Sequence, residues 1–429
     1  MRRGLFTWCV VMLAAAAMAG TRAVLSQAAG TMGSWSQAAT LITGREEHTA
    51  TLLRNGNVLI AGGADRHGTA LASAEVYNPK TNTWASAGSM GAARLDHTAT
   101  LLPSGKVLVV GGQVGPVPFS SLASAELYDP TTNSWSAATP LIVSRASQSA
   151  ILLRDGRVLV VGGITLAVRE GGLFPSLATD AEIYDATANS WSTTAPMGFD
   201  RLGQSATLLA DGRVLVAGGQ DGATTFRSTE IYNPTEDRWI SAAPMGSGRW
   251  GHAAALLPDG DVFVVGGTGE EPNAQSIALS AEIYDPGTNL WATVAKMAEL
   301  HFEPTATVLR DGRVLVAGAT LQSRAEVFDL DRNLWSETGS SMDRRRHTAT
   351  LLADGKVLIA GGHGSLDDAL LYDPSAVGLV PRQPLDPRVV GALLLAALLL
   401  VAGIALSIPA VRQRVGRWGP HGMPEEWIA

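Results

Sequence analysis

The sequence contains almost no cysteine and few charged residues. Cys9 is the only cysteine and lies near the start of the chain, so no disulfide can stabilise the remainder. A copper-radical oxidase of the known kind needs a cysteine crosslinked to a tyrosine, and that chemistry is therefore excluded. Charged residues make up 17% of the 429 residues, and the formal net charge is −7. Such mild acidity gives no reason to expect a nucleic-acid partner.

Residue patterns typical of metal sites and of catalysis are also missing. No two of the eight histidines have the close spacing of a metal-ligand pair. All six tyrosines occupy the same position of a repeated segment, which argues against a tyrosine nucleophile of the sialidase type. The sequence therefore predicts no catalytic residue, no metal, no cofactor and no enzyme activity.

What the sequence does contain is a segment of about fifty residues that occurs seven times. Each copy has an apolar run that ends in two small residues, as in 108–112. A tryptophan closes each of the first six copies, the seventh copy has none, and a further tryptophan precedes the first copy. In chain order these are Trp35, Trp84, Trp135, Trp191, Trp239, Trp291 and Trp335. A closed ring requires that a segment missing from the last copy be supplied from the other end of the chain, and the tryptophan segment before the first copy meets this requirement.

Four short segments within each copy have the composition of β-strands. In the second copy they are 97–102, 106–112, 124–130 and 133–136, rich in Val, Leu, Thr and Tyr and bounded by turn-forming residues. An Asn-Gly, Asp-Gly or Ser-Gly pair separates the first two segments in every copy, which predicts a tight hairpin with a type I′ turn. Four antiparallel strands at this period describe one blade of a propeller.

The seven blades are predicted to form a closed ring. Residues 34–36 can supply the strand that the last blade, within 347–374, lacks. Joining the two ends would cover the apolar faces that an open stack of blades leaves exposed. The alternative is an open solenoid whose last repeat is incomplete.

The repeat resembles a known family. Gly-Gly, then Glu-x-Tyr, then Trp is similar to the Kelch repeat, and His-Thr-Ala-Thr-Leu-Leu before Asp-Gly resembles the propeller domain of galactose-oxidase-like proteins. The resemblance covers about residues 34–374 and implies an all-β, seven-bladed Kelch-type propeller of a bacterial, membrane-anchored type. Departures are Ala319 for the second glycine, Phe328 for the tyrosine and Leu370 for the glutamate. Kelch proteins include enzymes, adaptors and surface modules, so the activity stays open.

Both ends of the chain are typical of membrane targeting. Two arginines precede an apolar stretch, which predicts a signal peptide, with an uncleaved anchor as the alternative. A later stretch, 389–408, holds no charge, is long enough to span a membrane and is followed by arginines on the predicted cytoplasmic side. The predicted divisions are a signal peptide and leader (1–29), the propeller (30–374), a proline-rich spacer (375–388), a transmembrane helix (389–409) and a cytoplasmic tail (410–429). We expect a single-pass protein of the cell membrane with an extracytoplasmic propeller.

Two kinds of loop share one face of the predicted propeller. The loops between second and third strands vary most in length, with 113–123, 164–179 and 268–279 long. The loops from each fourth strand to the next first strand lie on the same face. Variable loops on a rigid scaffold often carry binding sites, so this loop-rich face is the predicted binding face. Trp250 and Phe174 are candidate ligand-binding residues on it.

A basic residue also recurs just before the first strand of each blade. The set, which completes the candidate ligand-binding residues, is Arg45, Arg94, Arg145, Arg201, Arg249, His301 and Arg344. If the first strand is innermost, these residues surround the mouth of the central channel, where guanidinium groups favour carboxylate ligands. The alternative is that each pairs with a glutamate of the third strand. Against that pairing, the sixth copy lacks the arginine but keeps Glu326, and the seventh lacks the glutamate.

These features together predict a membrane-anchored, extracytoplasmic Kelch propeller that binds an unidentified protein or glycan through its loop-rich face. The ligand is acidic if the arginines contact it. One alternative is a carbohydrate-active enzyme, epimerase-like or lyase-like, that uses the arginine-lined channel mouth. A purely structural surface protein is the other.

Overall fold

The computed structural model describes residues 32–115, 120–169, 172–178, 180–269, 274–318, 324–341 and 344–377. The predicted signal peptide, transmembrane helix and tail lie outside the described residues, as does most of the spacer. Within the described part of the chain, no helix is long and apolar enough to cross a membrane.

Seven four-stranded antiparallel sheets form the described fold, one for each repeat. The strands are β1 (Met32–Gln37), then in the first blade β2 (Thr49–Leu52), β3 (Val58–Ala61), β4 (Ser73–Asn78) and β5 (Thr83–Ser89), and in the second β6 (Thr98–Leu101), β7 (Val107–Val110), β8 (Ala125–Asp129) and β9 (Ser134–Ala138). The third blade has β10 (Ser149–Leu152), β11 (Val158–Val161), β14 (Glu182–Asp185) and β15 (Ser190–Thr193), and carries a separate hairpin of β12 (Ile164–Arg169) and β13 (Gly172–Leu177).

The remaining blades follow the same order. They comprise β16 (Ser205–Leu208), β17 (Val214–Ala217), β18 (Thr229–Asn233) and β19 (Arg238–Ala242); β20 (Ala253–Leu256), β21 (Val262–Val265), β22 (Ala281–Asp285) and β23 (Leu290–Thr293); and β24 (Thr305–Val308), β25 (Val314–Ala317), β26 (Arg324–Asp329) and β27 (Leu334–Ser341). The seventh has β28 (Thr348–Leu351), β29 (Val357–Ala360) and β30 (Ala369–Val377). A short helix, α1 (Ala274–Ala278), precedes β22.

The N-terminal strand closes the ring. β1 pairs antiparallel with β30 and completes the seventh sheet in the order β1-β30-β29-β28. Trp35 lies opposite Tyr372, and their ring centroids are 5.0 Å apart, as for the tyrosine–tryptophan pairs of other blades. The first strands of neighbouring blades contact one another around the whole circuit, including β2 with β28. The predicted closed ring with innermost first strands is therefore confirmed, and an open solenoid is excluded.

The hairpin between first and second strands has a different turn from the predicted one. Leu53 N–H donates to the Asn57 carbonyl at 2.8 Å, which leaves three residues in the connection. Only the glycine of the Asn55-Gly56 pair has a positive φ, at 84°. A type I′ turn needs two such residues, whereas a three-residue connection needs one, at its last position. The hairpin prediction is confirmed, and the type I′ assignment is wrong.

The core lies between blades rather than within them. Every second strand is buried along its full length. Leu59 and Ala61 of β3, for example, pack with Val107 and Val109 of the next blade. Each fully buried Val or Leu side chain contributes about 1.5–3 kcal/mol, so a blade depends on both neighbours for its apolar burial. Closure supplies that neighbour for the first and last blades.

Candidate functional site at the channel mouth

The recurrent arginines lie inside the blades, not on their surface. Arg45 is 0% exposed, and its Nη2 donates to Oε1 of Glu75 at 2.7 Å. Its Nη1 donates to the carbonyl oxygens of Gly62 at 2.7 Å and Ser73 at 3.0 Å. The equivalent ion pairs are Arg94–Glu126, Arg145–Glu182, Arg201–Glu230 and Arg249–Glu282. Each arginine therefore joins the second and third strands of its own blade.

The glutamate of each pair also holds the incoming chain. Glu75 accepts the backbone N–H groups of Ile42 at 2.7 Å and Thr43 at 2.8 Å. Those residues belong to the segment that arrives from the preceding outer strand. Hydrogen bonds to a buried carboxylate offset the free energy of removing its charge from water. Arginine and glutamate together thus fix the connection between two blades.

The two exceptional blades keep the pairing with other residues. In the sixth, His301 Nδ1 is 2.8 Å from the Gly318 carbonyl oxygen and Nε2 is 3.2 Å from Oε2 of Glu326. In the seventh, Arg344 Nη2 donates at 2.7 Å to Oδ2 of Asp368, two residues before the Leu370 that replaces the glutamate. The sequence argument against pairing is therefore wrong, because a different side chain compensates in each blade.

This placement leaves the arginines no surface with which to meet a ligand. Five are 0% exposed, and Arg344 is 4% exposed. His301 is likewise buried. The expectation that these residues line the channel mouth is wrong, since their donors point to carbonyl and carboxylate acceptors within the blade. The carbohydrate-active alternative loses its arginine-lined site for the same reason.

A second set of buried polar residues connects neighbouring first strands. It comprises His48, His97, Gln148, Gln204, His252 and His347. His97 Nε2 forms a hydrogen bond with Thr49 Oγ1 of the preceding blade at 3.0 Å, and His252 Nε2 does so with Ser205 Oγ at 2.9 Å. Burial, with a smaller effect of Arg94, lowers the pKa of His97 to about 3. These imidazoles are therefore neutral at physiological pH.

The channel mouth itself is formed by the residue that precedes each of these six positions and, in the sixth blade, by the residue that precedes Pro304. The mouth ring comprises Glu47, Asp96, Ser147, Gly203, Gly251, Glu303 and Arg346, and every member has a positive φ, between 47° and 68°. Backbone hydrogen bonds run from blade to blade along it. Asp96 N–H donates to the Glu47 carbonyl at 3.3 Å, and Ser147 N–H to that of Asp96 at 2.9 Å. The ring therefore surrounds the end of the channel where the first strands begin.

Charged side chains occupy one side of the mouth ring. Arg346 forms ion pairs with both Glu47 and Glu303, and the latter pair measures 3.2 Å. Asp96 accepts a hydrogen bond from the amide of Gln113 at 3.0 Å. Burial raises the pKa of Glu47 to about 7, and the negative charge of Asp96 adds to this effect. Carboxylates thus outnumber guanidinium groups on this side.

Two cavities open on the loop-rich face. One, of about 340 Å³, lies at the mouth and is lined by Trp250, Phe302, Glu303 and Arg345, among others. The other, of about 600 Å³, is lined by Phe199 and Phe226 and by residues of β13. The candidate Trp250 therefore does lie in a cavity at the mouth. Phe174 lies in β13, next to Pro175, which lines the larger cavity.

Comparisons with known proteins agree with this architecture. The family model of the Kelch motif matches residues 49–91, 97–142, 202–246 and 249–298. Kelch-like protein 28 of mouse is 33% identical over 104 residues, which are 24% of this chain and 18% of that protein. The human protein is 32% identical over the same shares. The chain is a Kelch-repeat propeller. The matched segment spans less than a fifth of the length of these curated relatives.

Two solved structures share the fold of this Kelch propeller. A fungal alcohol oxidase of the AA5 family, in complex with copper, is 19% identical, with a TM-score of 0.63 over 82% of this chain and 79% of the oxidase. The structure of YjhT is 14% identical, with a TM-score of 0.54 over 70% of this chain and 99% of YjhT. Among the residues that the structure describes, no group of three His, Cys, Asp or Glu side chains could hold a metal ion.

Sequence reasoning on this Kelch propeller missed the mouth ring. Each member lies two residues after the recurrent arginine, or after His301 in the sixth blade, and the members vary in charge and size as Glu, Asp, Ser, Gly or Arg. This variation next to recurrent residues is the sequence feature that could have identified the mouth ring. Their shared left-handed backbone conformation could not be predicted from the sequence, because Glu and Arg, as at Glu47, Glu303 and Arg346, rarely adopt a positive φ.

Proposed function

We propose that this Kelch propeller is a protein-binding module whose partner docks on the loop-rich face, outside the membrane that anchors the chain. Kelch propellers are commonly protein-binding modules, and the motif matches support that role here. One observation carries the choice of face: aromatic side chains that are not part of the repeat line both cavities there. Phe199, for example, is 47% exposed. Exposed aromatic residues in pockets are typical anchors of protein interfaces.

Affinity capture with the full-length chain tests the choice of face. Phe199→Ser and Trp250→Ala should each weaken capture of a partner from the source cell by about tenfold or more, since aromatic anchors dominate binding energies. Leu334→Ser is the matched control, because Leu334 is 53% exposed at the start of β27, on the opposite face. Equal effects of all three substitutions would contradict the assignment. Retention on immobilised glycans, lost with Trp250→Ala, would indicate a glycan ligand instead.

The membrane topology has a separate test. In a chain with Cys9→Ser, a cysteine placed at the exposed Ser136 becomes the only thiol. A membrane-impermeant maleimide should label Ser136→Cys in intact cells if the propeller is extracytoplasmic. Labelling that requires cell lysis would place the propeller inside. Recovery of the protein in the soluble fraction would contradict the proposed anchor.

A further inference from the structure

The mouth ring is divided into a charged part and an open part. Its members are charged in the first, second, sixth and seventh blades, and glycine in the fourth and fifth. A Cβ atom at Gly203 would lie 3.2 Å from the Gly251 nitrogen and 3.3 Å from the Trp250 ring. Gly251 and the Trp250 indole line the cavity of about 340 Å³.

The charged part carries an excess of negative charge. Arg346 is shared between Glu47 and Glu303, so one guanidinium serves two carboxylates. Asp96 accepts hydrogen bonds from two neutral groups, the Gln113 amide and the Ser147 side chain. Repulsion from Asp96 and Glu303 adds to the effect of burial on Glu47. A further positive charge at the mouth would relieve this repulsion.

The cavity walls combine aromatic rings with one carboxylate. Trp250 and Phe302 are half-buried there, and Glu303 lies beside them. A cation is attracted to the faces of aromatic rings and to a carboxylate at once, and tryptophan gives the strongest effect of this kind. The volume lies at the lower end of the range for ligand pockets, about 300–1,000 Å³. It suits one long side chain rather than a folded element.

The remaining wall residue points to a peptide rather than to a free amine or metal ion. Arg345 lines the cavity, and its buried Nε has no hydrogen-bond partner. A guanidinium group is a strong hydrogen-bond donor, and a ligand carbonyl oxygen beside Arg345 would supply an acceptor for it. A peptide supplies that carbonyl next to its side chain. A simple cation supplies none.

We infer that the cavity at the channel mouth takes a lysine or arginine side chain of the protein partner, held between the Trp250 and Phe302 rings and the Glu303 carboxylate, with a partner carbonyl on Arg345. This inference rests on the proposed protein-binding function and names the chemistry of the partner. It reverses the expectation from the sequence, because the mouth ring contains three carboxylates, Glu47, Asp96 and Glu303, and one guanidinium group, that of Arg346.

Selection of peptides on the full-length chain tests the inference. A random dodecapeptide library is panned against the immobilised chain in detergent. Peptides enriched in arginine or lysine are expected, and replacing that arginine by the isosteric, neutral citrulline should lower affinity at least tenfold. In Glu303→Gln the same replacement should change affinity less than threefold. Glu236→Gln is the matched control, since Glu236 pairs with Arg238 in an exposed turn away from the mouth.

The possible results separate this inference from the proposed function. Enrichment of acidic or purely apolar peptides would overturn the inference, as would basic peptides that Glu303→Gln and Glu236→Gln affect equally. If Phe199→Ser weakened peptide binding and mouth substitutions did not, the loop-rich face would remain a binding face. The mouth would then not be part of the binding site. If no peptide were enriched by any form of the chain, both the inference and the proposed function would fail.

Discussion

Two neighbouring layers of this propeller differ in how strictly they repeat. The inner layer of buried arginines and their acidic partners is kept in all seven blades, even where the residue types change. The mouth ring, two residues further along the chain, keeps only its backbone conformation. The inner side chains are buried, so each must find a partner of complementary charge. The mouth side chains reach solvent, where such constraints relax.

In this repeat protein, the residues that recur in every blade hold the blades together rather than bind a ligand. Arg45 and its equivalents recur because each completes one blade. The mouth ring varies because its side chains complete no blade. Substitutions in the two layers should therefore have opposite kinds of effect: on stability for the inner layer, and on binding or its pH dependence for the mouth.

The largest effect is expected in the inner layer. Arg145→Ala leaves the fully buried Glu182 without its cation, which should lower the free energy of unfolding by about 3–5 kcal/mol. Urea unfolding of the full-length chain measures the change. Arg145→His should lose less, because the sixth blade uses His301 with Glu326 in the same way. A loss below about 1 kcal/mol, the usual value for exposed pairs, would show that the inner layer resembles the surface.

A mouth substitution should instead raise stability at alkaline pH. The pKa of Glu47 is about 7 in the folded chain and lower when unfolded, so its deprotonation opposes folding as pH rises through this window. Glu47→Gln should therefore increase the free energy of unfolding at pH 8 by about 1–3 kcal/mol, and have little effect at pH 4.5. Unfolding curves at both pH values test this. A stabilisation that is equal at both would contradict the assigned titration.

The buried histidines should give the opposite pH dependence. His97 has a folded pKa of about 3, below its ordinary value of 6.5, so the unfolded chain binds more protons between these values. Stability should fall as pH decreases below about 6.5, by about 1.4 kcal/mol per pH unit for each such histidine. His97→Gln copies the third and fourth blades, which have Gln148 and Gln204 at this position. It should reduce the slope by that amount, and an unchanged slope would exclude His97 as the source.

The smallest effect concerns the open part of the mouth. Gly203 has a φ of 68°, and a Cβ there would press on Trp250 and Gly251. Gly203→Ala should cost about 1 kcal/mol of stability, because alanine resists this backbone region. It should also weaken any ligand of the neighbouring cavity. Ser147→Ala, in a member that already has a side chain, is the control for binding and should leave a ligand of the cavity unaffected, although it removes a hydrogen bond to Asp96.

Most of the fold was predictable because the repeat shows it seven times over. The spacing of glycine pairs and tryptophans fixed the blade, and the spare Trp35 predicted how the ring closes onto the last blade. The turn type was not predictable, since Asn55-Gly56 suits both a two-residue and a three-residue connection. Hydrogen bonding between the strand ends selects the longer one.

The sequence by itself determined the number of blades, the order of their strands and the buried strand at the centre of each. These depend on short-range patterns of apolar, turn-forming and aromatic residues. Only the tertiary structure decided which charges meet: that Asp368 replaces the glutamate missing at Leu370, and that Arg346 rather than Arg45 reaches the channel mouth. Such pairings join residues from different strands and blades, and burial decides them through the free energy of removing each charge from water.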